Sequence, residues 1–320
     1  MKIKFKNFER KYKIIKIFLL ILCLLILFFK INEDFFKIFA IVENNILLIF
    51  SALFLLLILQ NLFNLRYYLY LKYTLTSTIK FVDWGKIFFS TALINSALFG
   101  SGHVMRAYEL KKKGISYSAY FSLTYIFLIF PLIINIFLII IEFLYLDFFK
   151  LDLILSLIIL QLFFIFFLSK YFLNFVKKNL KFLKKYKNVF SKFLYKINKI
   201  VNHIELSIKH KKSILVFCCI TLLIHFFDLI IFYIVSVIIL DNENLNIILL
   251  LFLITFCLNQ IPILTNIIGL KEIIFGIATA TIGMYFIDGV FIQLIIRLII
   301  YISLVINYFM FHISKKTIKF

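Results

Sequence analysis

The sequence predicts an all-α polytopic membrane protein, a bundle of about eight transmembrane helices with one or two re-entrant or broken segments. Three observations carry that expectation. Hydrophobic residues make up 64% of the 320-residue chain and charged residues only 16%, with a mean hydropathy of +1.06. A soluble domain averages about 45–50% apolar and about 25% charged. Apolar runs near the roughly 20-residue length of a span recur along the whole chain. The lysines gather in short segments between these runs, which is the positive-inside pattern. A single membrane domain over 1–320 follows, with 177–212 as a basic cytoplasmic connector between two halves.

The formal net charge of +21 would point to nucleic acid in a soluble protein. Here the same lysines set topology and attract anionic lipid headgroups, so no nucleic-acid partner is expected. Cys23, Cys218, Cys219 and Cys257 all sit in apolar runs without metal-site spacing, and they read as small hydrophobes. No Gly-x-Ser-x-Gly, His-Glu-x-x-His or Walker glycine loop is present, and neither a cofactor nor a metal is expected.

In chain order, Met1–Lys16 carries seven Lys/Arg and one Glu and should stay cytoplasmic. Ile14–Phe29 lacks a small-residue cleavage site and reads as an uncleaved first helix. Glu33, Asp34 and Glu43 mark the outside, and a second helix over about Ile46–Leu65 returns to Arg66, Lys72, Lys80 and Lys86 inside. Ile87–Met105 is interrupted by Ser90, Asn95, Ser96, Gly100, Ser101 and Gly102. A crossing there would put Arg106 and Lys111–Lys113 outside, so a re-entrant or interfacial segment is preferred to a span, with a surface amphipathic helix as the plainer alternative. A third helix, about Tyr117–Ile141, contains Pro131, and a fourth runs over about Leu153–Phe175. Lys177–Lys212 holds twelve lysines and one glutamate, with apolar residues every three to four positions, as in a basic helix lying on the inner leaflet. A fifth helix covers about Ser213–Leu240 and a sixth about Ile247–Leu264. The remaining apolar sequence reads as spans over about Ile267–Phe286 and Val290–Ile313, separated by Asp288-Gly289. Eight crossings place both termini in the cytoplasm, with the chain in a cell (inner) membrane.

Three groups bring polarity into this hydrocarbon-like sequence. His225 and Asp228, spaced i, i+3, share a helix face, and read either as a polar clamp or as a coupling pair. Asn95, Gly100, Gly102, His103, Arg106 and Glu109 form a glycine-broken segment whose arginine suits a phosphate or, more plainly, the headgroup level. Pro262, Gly269, Lys271, Glu272 and Arg297 form the third, in which Glu272 and Arg297 either bridge one another or meet substrate charges.

The second and third groups carry a family resemblance. Asn95-Ser96-Ala97-Leu98-Phe99-Gly100-Ser101-Gly102-His103, followed by Arg106 and Glu109, resembles a motif in which Asn precedes a small-residue turn, an acid and an Arg. Ile261-Pro262-Ile263, Gly269-Leu270-Lys271-Glu272 and Arg297 resemble that family's Pro…Gly-x-x-Glu…Arg pattern. The family is the flippase-like membrane domain of lysylphosphatidylglycerol synthetase/flippases. Leu98 and Phe99 replace the usual residues of the first turn, and His103 stands where the family has an acid, which bears on recognition of a cationic lysyl group. The cytosolic aminoacyl-transfer domain does not follow Phe320, so synthesis of lysyl-lipid is not expected of this chain.

The resemblance implies binding or flipping of an anionic or polyprenyl-linked lipid headgroup in envelope biogenesis. Asn95, Gly100, Gly102, His103, Arg106, Glu109, Pro262, Gly269, Glu272 and Arg297 would form the substrate contacts. Two other classes stand beside it: an intramembrane transferase acting on a lipid-linked sugar or phosphate, and a scaffold for envelope-glycan enzymes. Catalytic residues are not expected under the first reading.

Overall fold

The computed structural model describes residues 35–75, 77–97, 101–124, 131, 211–240, 244–259 and 269–313. Every regular element among them is an α-helix: α1 Phe35–Asn44, α2 Ile46–Tyr73, α3 Phe81–Ala97, α4 Ser101–Lys112, α5 Lys211–Leu240, α6 Leu245–Asn259, α7 Leu270–Thr281 and α8 Phe286–Ile313. A further helical stretch covers 117–124. The expected helices over 14–29 and 153–175, most of that over 117–141 and the connector 177–212 lie outside the described residues, apart from the first turn of α5.

Among the described residues, three helices, Ile46–Tyr73, Leu215–Leu240 and Phe286–Ile313, are long and apolar enough to cross a membrane. At 28 residues, α2 and α8 each extend about 42 Å, more than the roughly 30 Å of hydrocarbon. Large apolar side chains stand exposed on all three, among them Phe50 and Phe54 on α2, Leu222 and Phe226 on α5, and Phe309 and Met310 on α8. Patches of that kind suit lipid, not water. The protein is an all-α helical membrane protein.

Two boundaries differ from expectation. The helix expected to stop at Leu65 continues to Tyr73, which brings Arg66 inside α2. The span expected over 267–286 is the 12-residue α7, about 18 Å long. A turn over 282–285 follows, where the Gly283 N–H donates to the Ala280 carbonyl and the Met284 N–H to the Thr279 carbonyl. Asp288-Gly289, expected as the separator, instead opens α8. Asp288 lies in its first turn, where an acid suits the helix dipole.

The chain divides into two compact units. The first comprises Met1–Leu57, Asn95–Phe99 and Leu229–Ser303. In it, Phe232 of α5 meets Phe252 of α6 and Phe275 of α7 edge-on, at ring-centroid distances of 5.7 and 6.2 Å. Helices α7 and α8 touch backbone to backbone. A Cβ at Gly276 would come within 2.7 Å of the Phe286 carbonyl, and one at Gly289 within 3.0 Å of Gly276 Cα and against the Thr279 side chain. Small residues at such a crossing let membrane helices pack closely.

The second unit comprises Ile58–Ile94, Gly100–Asp228 and Leu304–Phe320. The Trp84 indole N–H of α3 donates to the Asn64 carbonyl of α2 at 3.1 Å, and its ring is fully buried beside Tyr67. The end of α8 packs here too. Phe311 contacts Gly85, Phe81 and Phe89, while Asn307 bridges to Gln60 and Asn61 of α2.

Candidate functional site

Each unit contains an arginine that the two sequence motifs single out, Arg106 buried and Arg297 partly buried. In the second unit, Arg106 sits one turn into α4 and is 5% exposed. Its Nε donates to Thr91 Oγ1 at 2.9 Å and its Nη2 to the Phe88 carbonyl at 3.2 Å, both on α3. The guanidinium carbon lies 4.6 Å from the Phe88 ring centroid and 5.6 Å from that of Tyr67. Among the described residues, neutral oxygens and aromatic faces surround this cation, and no carboxylate pairs with it. Such rings attract a cation modestly, about 0.5–2 kcal/mol each, without cancelling its charge.

The neighbouring motif residues take different positions. Gly102 is buried, and His103 is exposed with its Nδ1 3.1 Å from the Tyr120 hydroxyl. Glu109 turns away from Arg106. It accepts from Lys112 Nζ at 2.7 Å on the exposed face of α4, and that bond holds the ammonium above its ordinary pKa. Asn95, at the end of α3 and assigned to the first unit, keeps a buried Oδ1 without a hydrogen-bond partner. Gly100 lies outside the described residues.

In the first unit, Gly269, Glu272 and Arg297 come together. Gly269 adopts φ 90°, a left-handed conformation that favours glycine, and caps α7. Glu272, three residues on and fully buried, accepts the Gly269 N–H through Oε2 at 2.8 Å. Its Oε1 lies 2.7 Å from Arg297 Nε on α8. Of the alternatives for these two residues, the geometry gives the bridge. Arg297 still has a buried Nη1 without a partner. One turn earlier on α8, Gln293 donates through Nε2 to Thr255 Oγ1 at 2.6 Å, and its Oε1 is buried and unpaired. Pro262 lies outside the described residues.

The His225 ring of α5 places Nδ1 2.8 Å from the Thr221 carbonyl, and Asp228 follows one turn later, half-buried. Sequence reasoning missed a neighbour of this group. Arg66, read as a cytoplasmic topology mark, is 3% exposed, donates to Thr221 Oγ1 at 3.1 Å and stacks between Phe63 and Phe217. It also missed the amides Gln60, Asn61, Asn64, Gln293 and Asn307. Their signal was a polar residue recurring within an apolar run, and no motif accompanies it.

No curated protein and no solved structure matches the chain. The model of one family, the lysylphosphatidylglycerol synthase TM region, matches residues 13–306, and the chain belongs to that family.

Proposed function

We propose that this protein binds a lipid or lipid-linked headgroup by its phosphate and moves it across the bilayer, with Arg106 as the anion contact. The observation that carries the reading is the buried Arg106 guanidinium held among neutral partners. A charge in the membrane interior costs roughly 2.5–3.5 kcal/mol on insertion scales and is kept where it has work to do. The planar fork of arginine matches two phosphate oxygens at once. Membership in a family of membrane proteins of lipid modification or translocation supports a lipid as the anion's source.

In the first unit Arg297 is positioned by Glu272 and keeps one unpaired Nη1. His103 and Gly102 line the approach on α4, and His225 and Asp228 remain the coupling candidates. We place the protein in the cytoplasmic membrane, with both termini inside.

Lipid sidedness in cells matched for expression tests the reading. Arg106→Ala removes charge-assisted hydrogen bonds worth about 1.5–3 kcal/mol, so transport should fall at least about 10-fold. Arg106→Lys keeps the charge without the fork and should fall between wild type and alanine. Unchanged sidedness in Arg106→Ala and in Glu272→Ala rejects the function.

A further inference from the structure

Tyr120, in the helical stretch over 117–124, joins two basic side chains of α4 that differ in their access to water. His103 and Arg106 are three residues apart and share a face of that helix. Arg106 and Tyr120 are buried, whereas His103 is exposed. The Tyr120 hydroxyl lies 3.1 Å from His103 Nδ1 and is also a hydrogen-bond partner of the Arg106 guanidinium. Within the second unit, a buried phenol therefore connects an exposed titratable ring to a buried cation.

Among the described residues, the other groups around this chain of contacts are neutral or face elsewhere. Thr91 Oγ1 and the Phe88 carbonyl accept from Arg106 on the α3 side, and Tyr67 of α2 presents its ring to the guanidinium. Thr124 donates to the Tyr120 carbonyl. Glu109 is engaged by Lys112 on the exposed face of α4. Lys111, Lys112 and Lys113, two turns beyond His103, are exposed lysines that belong at the headgroup level, where water supplies protons.

With its own proton on Nε2, a neutral His103 accepts the phenol proton at Nδ1, while the phenol oxygen accepts from Arg106. Protonation reverses the first of these bonds. Nδ1–H then donates to the phenol oxygen, and the phenol proton turns to another acceptor. An anion held by Arg106 is such an acceptor, and its charge offsets the two neighbouring cations. Desolvation of the packed side of the ring, and then the Arg106 charge, hold the imidazole down at about 4. An anion that neutralises Arg106 weakens the second of these, so the imidazole returns toward its ordinary 6.5.

We infer that His103 is a proton-linked positioning residue: anion binding at Arg106 draws a proton from water onto its imidazole, and Tyr120 transmits the change by turning its hydroxyl from the imidazole to the anion. Because the anion-bound form holds the proton more tightly, binding strengthens as pH falls and levels off above the ordinary histidine range. The inference rests on the proposed role of Arg106 and adds a regulation to that site.

The test titrates the full chain in mixed micelles with a short-chain phosphatidylglycerol, followed by calorimetry. Its phosphodiester stays singly ionised throughout, so the lipid itself contributes no pH dependence. A bound pKa of about 5.5–6.5, against about 4 for the free site, should tighten binding about 4- to 30-fold from about pH 7.5 to about pH 5. Repeating the titration near pH 5 in buffers of different ionisation enthalpy should count about 0.7–0.9 of a proton taken up. His103→Asn, whose amide oxygen still offers Tyr120 an acceptor, should show neither the uptake nor the pH dependence, whatever affinity it retains. His225 and His312 remain in that variant and serve as the control. Tyr120→Phe should lower the uptake, because only the through-space part of the coupling remains. Thermal unfolding in the same micelles shows that each variant is folded. Wild-type binding that takes up no proton overturns the inference and leaves Arg106 standing, a result that needs no variant to fold. Uptake unchanged in folded His103→Asn overturns it as well, and uptake unchanged in Tyr120→Phe overturns the role given to the phenol. Binding absent in wild type, or unchanged in Arg106→Ala, overturns the reading beneath it.

Discussion

Removing the Glu272 carboxylate exposes what the buried pair in the first unit does. Glu272 is fully buried and uses both oxygens, Oε1 toward Arg297 Nε at 2.7 Å and Oε2 to the Gly269 N–H at 2.8 Å. Truncating one member of a buried ion pair leaves an uncompensated charge, at about 3–5 kcal/mol. Losing a helix N-terminal cap adds about 1 kcal/mol. Glu272→Ala should therefore destabilise the protein by about 4–6 kcal/mol. Glu272→Gln keeps an acceptor for Gly269 and a neutral one for Arg297, so its loss should be smaller, about 1.5–3 kcal/mol. The double substitution Glu272→Met with Arg297→Met removes both charges and should recover most of the alanine loss, because apolar replacement of a buried pair is often neutral or better. Titration with a denaturing detergent in mixed micelles ranks the three variants. A loss below about 1 kcal/mol in Glu272→Ala, against the roughly 4–6 expected, refutes the account. So does a double variant no more stable than the alanine one.

Two further stability predictions follow from close contacts. Gly289→Ala drives a methyl into the Thr279 side chain and toward Gly276 Cα, and should cost about 1–3 kcal/mol of overpacking; adding Thr279→Ala should recover part of it in the same titration. Asn307→Leu takes one hydrogen-bond partner from each of Gln60 and Asn61, and should lower stability by about 1–3 kcal/mol, read as earlier unfolding of the second unit by hydrogen exchange.

The fold class was legible because membrane helices must satisfy their backbone internally and be long enough to span, and both demands show in the apolar runs. Boundaries were less legible. Asp288-Gly289 has the composition of a turn, but its glycine serves the close approach of α7 to α8 and its aspartate the start of α8. Composition cannot distinguish a glycine that bends the chain from one that lets another helix near. Arg66 illustrates a second limit. A basic residue after an apolar run signals the cytoplasmic end of a span, yet α2 continues seven residues beyond it, to Tyr73, and buries it against α5. For the candidate site, the motif spacing brought Gly269, Glu272 and Arg297 to one place, since Gly-x-x-Glu is also the spacing of a reciprocal helix cap. The amides left no such trace. In α2 the apolar residues follow no one-sided helical pattern, so periodicity does not mark which side Asn64 occupies.

The two motif arginines, one buried and one partly buried, meet different partners, and on the proposed function that difference separates their roles. Arg297 faces a carboxylate, so the pair presents an incoming anion with a dipole and one spare N–H. Arg106 faces a hydroxyl, a carbonyl and two rings, so its full positive charge stays available. A methionine would pack against Phe88 and Tyr67 nearly as well and would avoid the expense of burying a charge. Packing alone therefore does not account for an arginine on this face of α4, whereas packing and capping do account for Glu272 with Arg297. On the proposed function phosphate recognition is the task of Arg106, while the Glu272–Arg297 pair ties α7 to α8 within the first unit.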